Sequence, residues 1–242
     1  MTCYTARMSG TQGTREPLPL PSPPPLPVPP DLAASLRELG VSLTPEQLGR
    51  LGDYLARLLA MNEQVNLTAV TDPLLVWTKH ALDGLSIVPE LASLPPGASV
   101  LDVGSGGGVP GIPLAIARPD LEVTLLEATQ KKAAFLADVS EAIGLSNVSV
   151  IAERAEDARE TELAGAFDAV TARAVAKLAA LLGWTAPFAR DGARLVFIKG
   201  QRAELELREA KRAMKLAGCT HEHTTPTRTG RVVVLRVGRG DR

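Results

Sequence analysis

The stretch VLDVGSGGGVPGIPL, residues 100–114, decides how the rest of the chain is read. A short apolar run ends in Asp102, five glycines follow within eight positions, and Pro110 and Pro113 stand at the start of a second apolar run. A strand that turns through glycines directly into a helix aims backbone N–H groups at one point, where α/β folds hold ligands.

Three ligands suit such a turn. A phosphate-gripping P-loop needs Gly-Lys-Ser or Gly-Lys-Thr at its end, and Val109-Pro110-Gly111 stands there instead, which excludes ATP held in that way. A dinucleotide fits the spacing, since Gly106, Gly108 and Gly111 spell GxGxxG and Glu127 follows about 20 residues on. S-adenosyl-L-methionine fits the charge better. A carboxylate at Asp102 disfavours a pyrophosphate and favours an ammonium and a sulfonium. The two prolines also remove N–H groups that a pyrophosphate would use. Glu127 serves either ligand, because a carboxylate accepts from both ribose hydroxyls of an adenosine.

Working outward, apolar runs of strand length alternate with helical segments: 99–104, 122–128, 148–153, 168–173 and 193–200. That alternation predicts a parallel α/β sheet. The end, THEHTTPTRTGRVVVLRVG, reads as two strands joined by a Pro/Gly turn, hence an antiparallel hairpin. Before the sheet the chain is helical. Asp31 opens a first helix that Gly40 stops; Thr44, Pro45 and Gln47 spell a capping box ahead of Leu48, Leu51, Leu55, Leu58 and Leu59; Asp72 and Pro73 start a third, with Leu74, Leu75, Trp77 and Leu82 expected inside. Nine of the fourteen residues from Pro17 to Pro30 are proline, which predicts an extended, disordered tail or spacer. The expected organisation is therefore a Pro-rich tail over 1–30, a helical extension over 31–95 and a Rossmann-like core over 96–242, with 31–242 packed as one globule. In fold class this is α/β: a mostly parallel, Rossmann-like sheet with a C-terminal antiparallel hairpin and an N-terminal helical extension.

A chain of 242 residues, 45% hydrophobic, can bury a substantial core. No stretch approaches the roughly 20 apolar residues of a membrane span, and MTCYTARMSGTQ lacks the apolar core of a signal peptide, so a cytoplasmic, monomeric protein is expected. Cys3 and Cys219 write neither a disulfide framework nor a four-cysteine zinc site.

Seven blocks in order, MNEQVNLTAVTD (61–72), KHALDGL (79–85), LDVGSGGGVPGIPLAI (101–116), LLEATQKKAAFL (125–136), AERAED (152–157), TARAVAKL (171–178) and FIKG (197–200), resemble the bacterial small-subunit ribosomal RNA methyltransferase G family, also called glucose-inhibited division protein B. The resemblance runs from about Leu32 to Arg236 and has no common counterpart for the tail. It implies a class I S-adenosylmethionine-dependent methyltransferase fold and an enzyme that methylates N7 of a guanosine in the 530 loop of 16S rRNA (position 527 in standard rRNA numbering), presented as free RNA or within the 30S subunit. It also implies the donor contacts: Gly104 and Val109 in the turn; Glu127 on the ribose, with Ala128 and Thr129 beside the adenine; Ala155 and Glu156 near the adenine amine; and Arg173 at the methionine end. One departure is Gly84, where the family commonly has serine; at a helix end, it is expected to leave the donor site untouched.

The side chains allow an independent check of the chemistry. Methylation at C5 of a pyrimidine needs a cysteine nucleophile, and neither cysteine follows a parallel strand at the catalytic edge. An exocyclic amine calls for an Asn- or Asp-Pro-Pro-aromatic turn where TARAVAKL stands. Guanine N7 has an in-plane lone pair and no proton to lose, so positioning suffices without a catalytic base; Arg173 is the one candidate for a further role. A 2′-O-methyltransferase stays open through Lys177 and Lys199, as does, on the GxGxxG spacing, an NAD-dependent oxidoreductase.

The chain's net charge is −1, yet residues 199–242 carry eleven Lys and Arg against five acids. Lys199 and Arg202, at the head of this basic run, are the candidate RNA contacts, with Arg208, Lys211, Arg212 and Lys215 on the helix that follows and Arg228 and Arg231 in the hairpin as the alternative track. His80 and Asp83 stand three apart on a helix and are expected to pair structurally. Cys219, His221 and His223 alternate along a strand without a fourth ligand, so no metal is expected.

Overall fold

The computed structural model describes residues 19–173 and 175–238. Seven strands form one sheet in the order β3-β2-β1-β4-β5-β7-β6. They are β1 (Ser99–Val103), β2 (Glu122–Leu126), β3 (Val148–Ile151), β4 (Phe167–Arg173), β5 (Ala189–Lys199), β6 (Cys219–Pro226) and β7 (Arg231–Val237). The first five run parallel, and β7 pairs antiparallel with both β5 and β6. The α/β class, the five parallel strands and the closing hairpin all match the expectation. β5 starts four residues earlier than the expected 193: Ala189 already pairs with Phe167, the register with β4 then shifts, and pairing resumes at Ala169 and Arg194.

Side chains alternate across the sheet and feed two cores. Val100, Val123, Leu125, Ala169, Val196 and Val234 join one core with helices α1 (Leu32–Glu38), α2 (Pro45–Val65), α5 (Gly111–Ala117) and α6 (Gln130–Ala142). Leu101, Leu126, Val170, Phe197 and Val233 pack on the other face with α7 (Ala155–Ala158), α8 (Leu178–Thr185), α9 (Ala203–Glu209) and α10 (Lys211–Leu216). The helical extension thus shares its core with the sheet. Among the described residues no helix is long and apolar enough to cross a membrane.

The capping box forms as read: Gln47 N–H donates to Thr44 Oγ1 and Thr44 N–H to Gln47 Oε1. The same Gln47 also donates to Ile116 O at 2.7 Å, tying the start of α2 to the end of α5. After Asp72, which caps its helix through the N–H groups of Leu74 and Leu75, the chain runs through α3 (Pro73–Val76), a π-helical turn (Trp77–Leu82) and α4 (Asp83–Leu85). Trp77 and Leu82 are buried as expected, but Leu74 and Leu75 are 71% and 52% exposed. The π turn's wider repeat shifts the face presented to the core, so a 3.6-residue period misplaces the residues before it.

The proline stretch differs most from the expectation of a disordered tail. Residues 1–18 lie outside the described residues; from residue 19 the chain runs extended along α2. Leu26 N–H donates to Gly52 O at 3.0 Å, Arg57 donates to Pro21 O and to Ser22 Oγ, and Leu20 and Leu26 pack on the core. Polyproline carbonyls have no internal partner, so Arg57 can capture one, while Gly52, bare of a side chain, leaves its own carbonyl open to Leu26 N–H. Gly52 makes room: a Cβ there would stand 2.6 Å from Leu26 O. Gly52→Val is expected to lift the strap, destabilise the fold by about 1–3 kcal/mol in urea titration and speed exchange of the Leu26 amide. Unchanged exchange at Leu26 would show that the strap is not held at Gly52.

Candidate active site at the carboxyl edge of the sheet

One residue before the end of β1 stands fully buried Asp102, whose carboxylate accepts from Gly111 N–H at 3.2 Å and from Thr171 Oγ1 of β4 at 3.0 Å. Burial pushes this carboxyl up to about 6, and its hydrogen bonds hold the shift back. The turn beyond it bends through positive φ at Gly104, Gly106 and Gly108, where side chains are strained. Gly104 N–H and Ser105 N–H donate to Leu126 O, which fixes the turn to the end of β2. Gly111 lets α5 settle on the sheet: a Cβ there would lie 2.2 Å from Leu125 Cδ2.

Glu127, buried at the end of β2, joins the turn to the next loop. Oε2 accepts from Gly106 N–H at 2.9 Å and Oε1 from Thr129 N–H at 2.8 Å. Each oxygen keeps a lone pair for an outside donor. The space over Gly106 is open, since a Cβ there would meet only Gly104 O, at 3.9 Å. A buried acceptor beside uncovered backbone fits a nucleoside bearing adjacent hydroxyls.

The other expected donor residues fall along the same edge, following the sheet order β3-β2-β1-β4. Ala155 and Glu156 open α7 after β3, Glu156 exposed; Ala128 and Thr129 are exposed after β2. Val109 sits in the turn with its side chain in the core, so only its main chain faces that edge. Gly84 also belongs to this packing and is not merely a helix end. A Cβ there would stand 2.8 Å from Pro113 Cγ and 3.2 Å from Val109 Cγ1, so the family's commoner serine would press on the turn.

Arg173 ends β4. Its guanidinium donates to Lys79 O at 2.6 Å, pairs with Asp83 Oδ2 at 3.0 Å and meets His80 Nδ1 at 3.2 Å. His80 and Asp83 therefore do not pair with each other, as spacing suggested; both turn to Arg173. Nδ1 thus lies between the guanidinium, which only donates, and Lys79 O at 2.9 Å, which only accepts, while Nε2 shares a hydrogen bond with Thr68 Oγ1 at 2.7 Å. Asp83 also accepts a short hydrogen bond from Thr229, in the β6–β7 turn.

Lys199 overturns the expectation placed on it. It is 8% exposed, and its ammonium donates to Ala176 O at 2.6 Å and pairs with Glu206 at 2.8 Å, so it does not stand free for a phosphate. The apolar FI of FIKG carries β5 straight into the edge, and its lysine finds a carboxylate one helical turn into α9. Arg202 is exposed, as are Arg208, Lys211, Arg212 and Lys215. In the hairpin Arg228 pairs with Glu38 and Arg231 with Glu204. Cys219 is buried with its thiol pushed up to about 11 by that burial, while His221 bonds Thr224 and His223 bonds Glu90 across a register shift. These three side chains take separate partners.

Sequence reasoning missed Tyr54. Buried in α2, it donates from its hydroxyl to Gly107 O at 2.7 Å, and burial raises its pKa. Leu58 and Leu67 close on the same glycine. An inward polar tip on an otherwise apolar helix face was the available signal.

Strand order, the switch from parallel to antiparallel at β7 and a glycine turn backed by an acid at the end of β2 define a class I methyltransferase fold. The crystal structure of cofactor-bound Rv0187 from MTB shares that fold, with a TM-score of 0.56 at 23% identity over 87% of this chain and 98% of that one. The family model of rRNA small subunit methyltransferase G (GidB) matches residues 47–234. The ribosomal RNA small subunit methyltransferase G of Sorangium cellulosum is 55% identical over 222 residues, 92% of this chain and 93% of that protein. The protein of the same name from Moorella thermoacetica is 40% identical over 77% of this chain and 78% of its own length. The chain belongs to the rRNA small subunit methyltransferase G family. The Sorangium match leaves only 20 of 242 residues unmatched, fewer than the thirty before Asp31, so it reaches into the proline stretch.

Burial, and next the Arg173 charge, lower the His80 pKa from 6.5 to about 4. A depressed pKa means that the unfolded chain takes up the proton first. Stability from neutral His80 is thus complete above pH 6.5 and lost as pH falls toward 4. Asp102, raised to about 6, acts with the opposite sign and blunts the total. The parent's stability advantage over His80→Gln is therefore expected to shrink by roughly 3 kcal/mol between pH 6.5 and 4 in denaturant titrations. A difference that does not vary with pH would mean that His80 is not buried neutral.

Proposed function

We propose that this protein transfers a methyl group from S-adenosyl-L-methionine to N7 of a guanosine in the 530 loop of 16S rRNA, in the cytoplasm where ribosomal subunits assemble. The observation that carries this reading is the buried Glu127 carboxylate, fixed by Gly106 N–H beside an open glycine turn, with Arg173 held at the end of β4. When bound, the donor supplies an electrophilic methyl carbon. The protein's part is placement. Glu127 would accept from the ribose hydroxyls, the open backbone at Gly106 would let the donor come close, and Arg173 would face its methionine end. N7 brings its own lone pair, so no group has to take up a proton. Two side chains of a type able to act as bases are already committed, Lys199 to Glu206 and His80 to Thr68 and Arg173. Mapping modified nucleotides in 16S rRNA by mass spectrometry, after incubation with free RNA or 30S subunits, tests the reading directly. A methylated 530-loop guanosine supports it, and labelled methyl groups found only on ribose 2′-oxygens overturn it.

Replacing Glu127 by alanine removes a charge-assisted acceptor and leaves Gly106 and Thr129 N–H groups unpaired. Donor affinity in calorimetry should fall by roughly 1.5–3 kcal/mol. A Gly104→Val protein, strained at φ +70° and pressed on Val175, should remain folded and bind no S-adenosylhomocysteine. Normal binding by either variant would remove the turn from the donor site.

For RNA, the exposed Lys177 and Arg202 border the ends of β4 and β5 and support a phosphate track there. With Lys177 and Arg202 both changed to alanine, KM for the RNA substrate should rise and the salt dependence of binding flatten by up to about two ion equivalents, at constant donor affinity. An unchanged salt slope would move the track elsewhere.

A further inference from the structure

The loop between β4 and α8 is held from outside. Lys199, the last residue of β5, donates to Ala176 O at 2.6 Å and pairs with Glu206 of α9 at 2.8 Å. Glu206 Oε2 also accepts from Leu178 N–H at 2.8 Å, the first amide of α8, which lacks a side-chain cap of its own. One carboxylate thus satisfies a helix-end donor and a buried cation together. The loop so held carries Val175 over the donor turn: a Cβ on Gly104 would lie 3.0 Å from Val175 Cγ2. Val175 is partly exposed, with its loop's main chain pinned a residue away. On the far side, Gly230 of the hairpin turn lies against Lys199 O, where a Cβ would meet that oxygen at 2.1 Å. That contact restrains the lysine's backbone as well as its side chain.

We propose that Lys199 and Glu206 are positioning residues for methyl transfer: by clamping Ala176 and the start of α8 they set Val175 as the wall of the donor turn at Gly104. This rests on reading that turn as the donor site. Lys199 serves the reaction from inside the protein, and the substrate's phosphates fall to other cations. An ion pair this buried persists because its geometry is closed by further hydrogen bonds, and here those bonds all go to the loop.

The test uses the full chain with S-adenosylhomocysteine, 30S subunits and amide exchange. Lys199→Met should speed exchange of the Leu178 amide, weaken S-adenosylhomocysteine about tenfold and lower kcat, with the salt slope for 30S binding unchanged. Glu206→Gln keeps an oxygen for Leu178 N–H but loses the charge, so it should show a smaller loss of the same kind and serves if Lys199→Met fails to fold. Val175→Ala should weaken the same ligand with normal exchange at Leu178. Combined with Lys199→Met it should add little, because both act through one contact. Normal donor affinity in both clamp variants overturns the proposal. So does a defect of Lys199→Met confined to RNA KM and the salt slope, which would make it a phosphate contact, and so do fully additive effects with Val175→Ala. If the parent protein itself binds no S-adenosylhomocysteine, the donor-site reading fails instead, while exchange at Leu178 still reports whether the clamp exists.

Discussion

The buried carboxylate of Asp102 is the constraint on which the rest of the site depends. It sits where β1 stops, and its two oxygens reach Thr171 on β4 and the first amide of α5. Strand, neighbouring strand and helix are thereby locked at one point with the glycine turn between them. A charge removed this far from water is costly unless its lone pairs are filled, and filling them dictates where the turn's ends lie. The requirement explains Gly111, since any side chain would separate α5 from Leu125 and lift its N–H off the carboxylate. Asp102 favours a cationic ligand by the sign of its charge, as the sequence suggests, but it acts chiefly as a fixed point inside the protein.

From that point the helical extension becomes part of the site. Tyr54 and Leu58 of α2 press on Gly107, Gln47 ties α2 to the end of α5, and Arg57 and Gly52 hold the proline strap on the far side of α2. The glycine turn is thus supported from below by a helix and held toward β2 by Glu127. Glycines give up much entropy on ordering, so a five-glycine segment needs this density of outside contacts to hold one shape. Residues 31–95 and the strap are the scaffold that provides it.

Features written in local chemistry were legible. The Thr44–Gln47 capping box, the Asp72 cap, the parallel strands and the Glu127 position follow from short-range rules and appear where those rules put them. What was not legible depends on partners far away in sequence. Lys199 reads as the head of a basic run until Glu206 and Ala176 close around it, and Leu74 and Leu75 read as core until the π turn rotates them outward. Gly84 reads as a helix end until Pro113 arrives. Tyr54 is one aromatic on a leucine-rich face, and the proline strap has no periodicity at all. The deciding contact spans more of the chain than a helical or strand repeat covers, except for Leu74 and Leu75, where the adjacent π turn breaks the repeat, and for Lys199, where the partner is near in sequence but the reason for burial, the loop after β4, is not.

The cations at the carboxyl edge divide accordingly. Arg173 and Lys199 end adjacent parallel strands, β4 and β5, and each is enclosed by a carboxylate and a main-chain carbonyl: Asp83 with Lys79 O for one, Glu206 with Ala176 O for the other. They repeat the same device on neighbouring strands, one anchoring the helical extension and the other the loop before α8. Lys177 and Arg202 lie a few residues farther along the chain and outside this shell. A polyanion at this edge therefore meets exposed charges first, while the charges that set the geometry stay neutralised within the fold. Under the phosphate track proposed for Lys177 and Arg202, that separation draws a polyanion over a Debye length without the attraction distorting the turn at Gly104. The proposed phosphate track is compatible with a net charge of −1 for the same reason: the exposed base is local, and part of the basic run is spent inside.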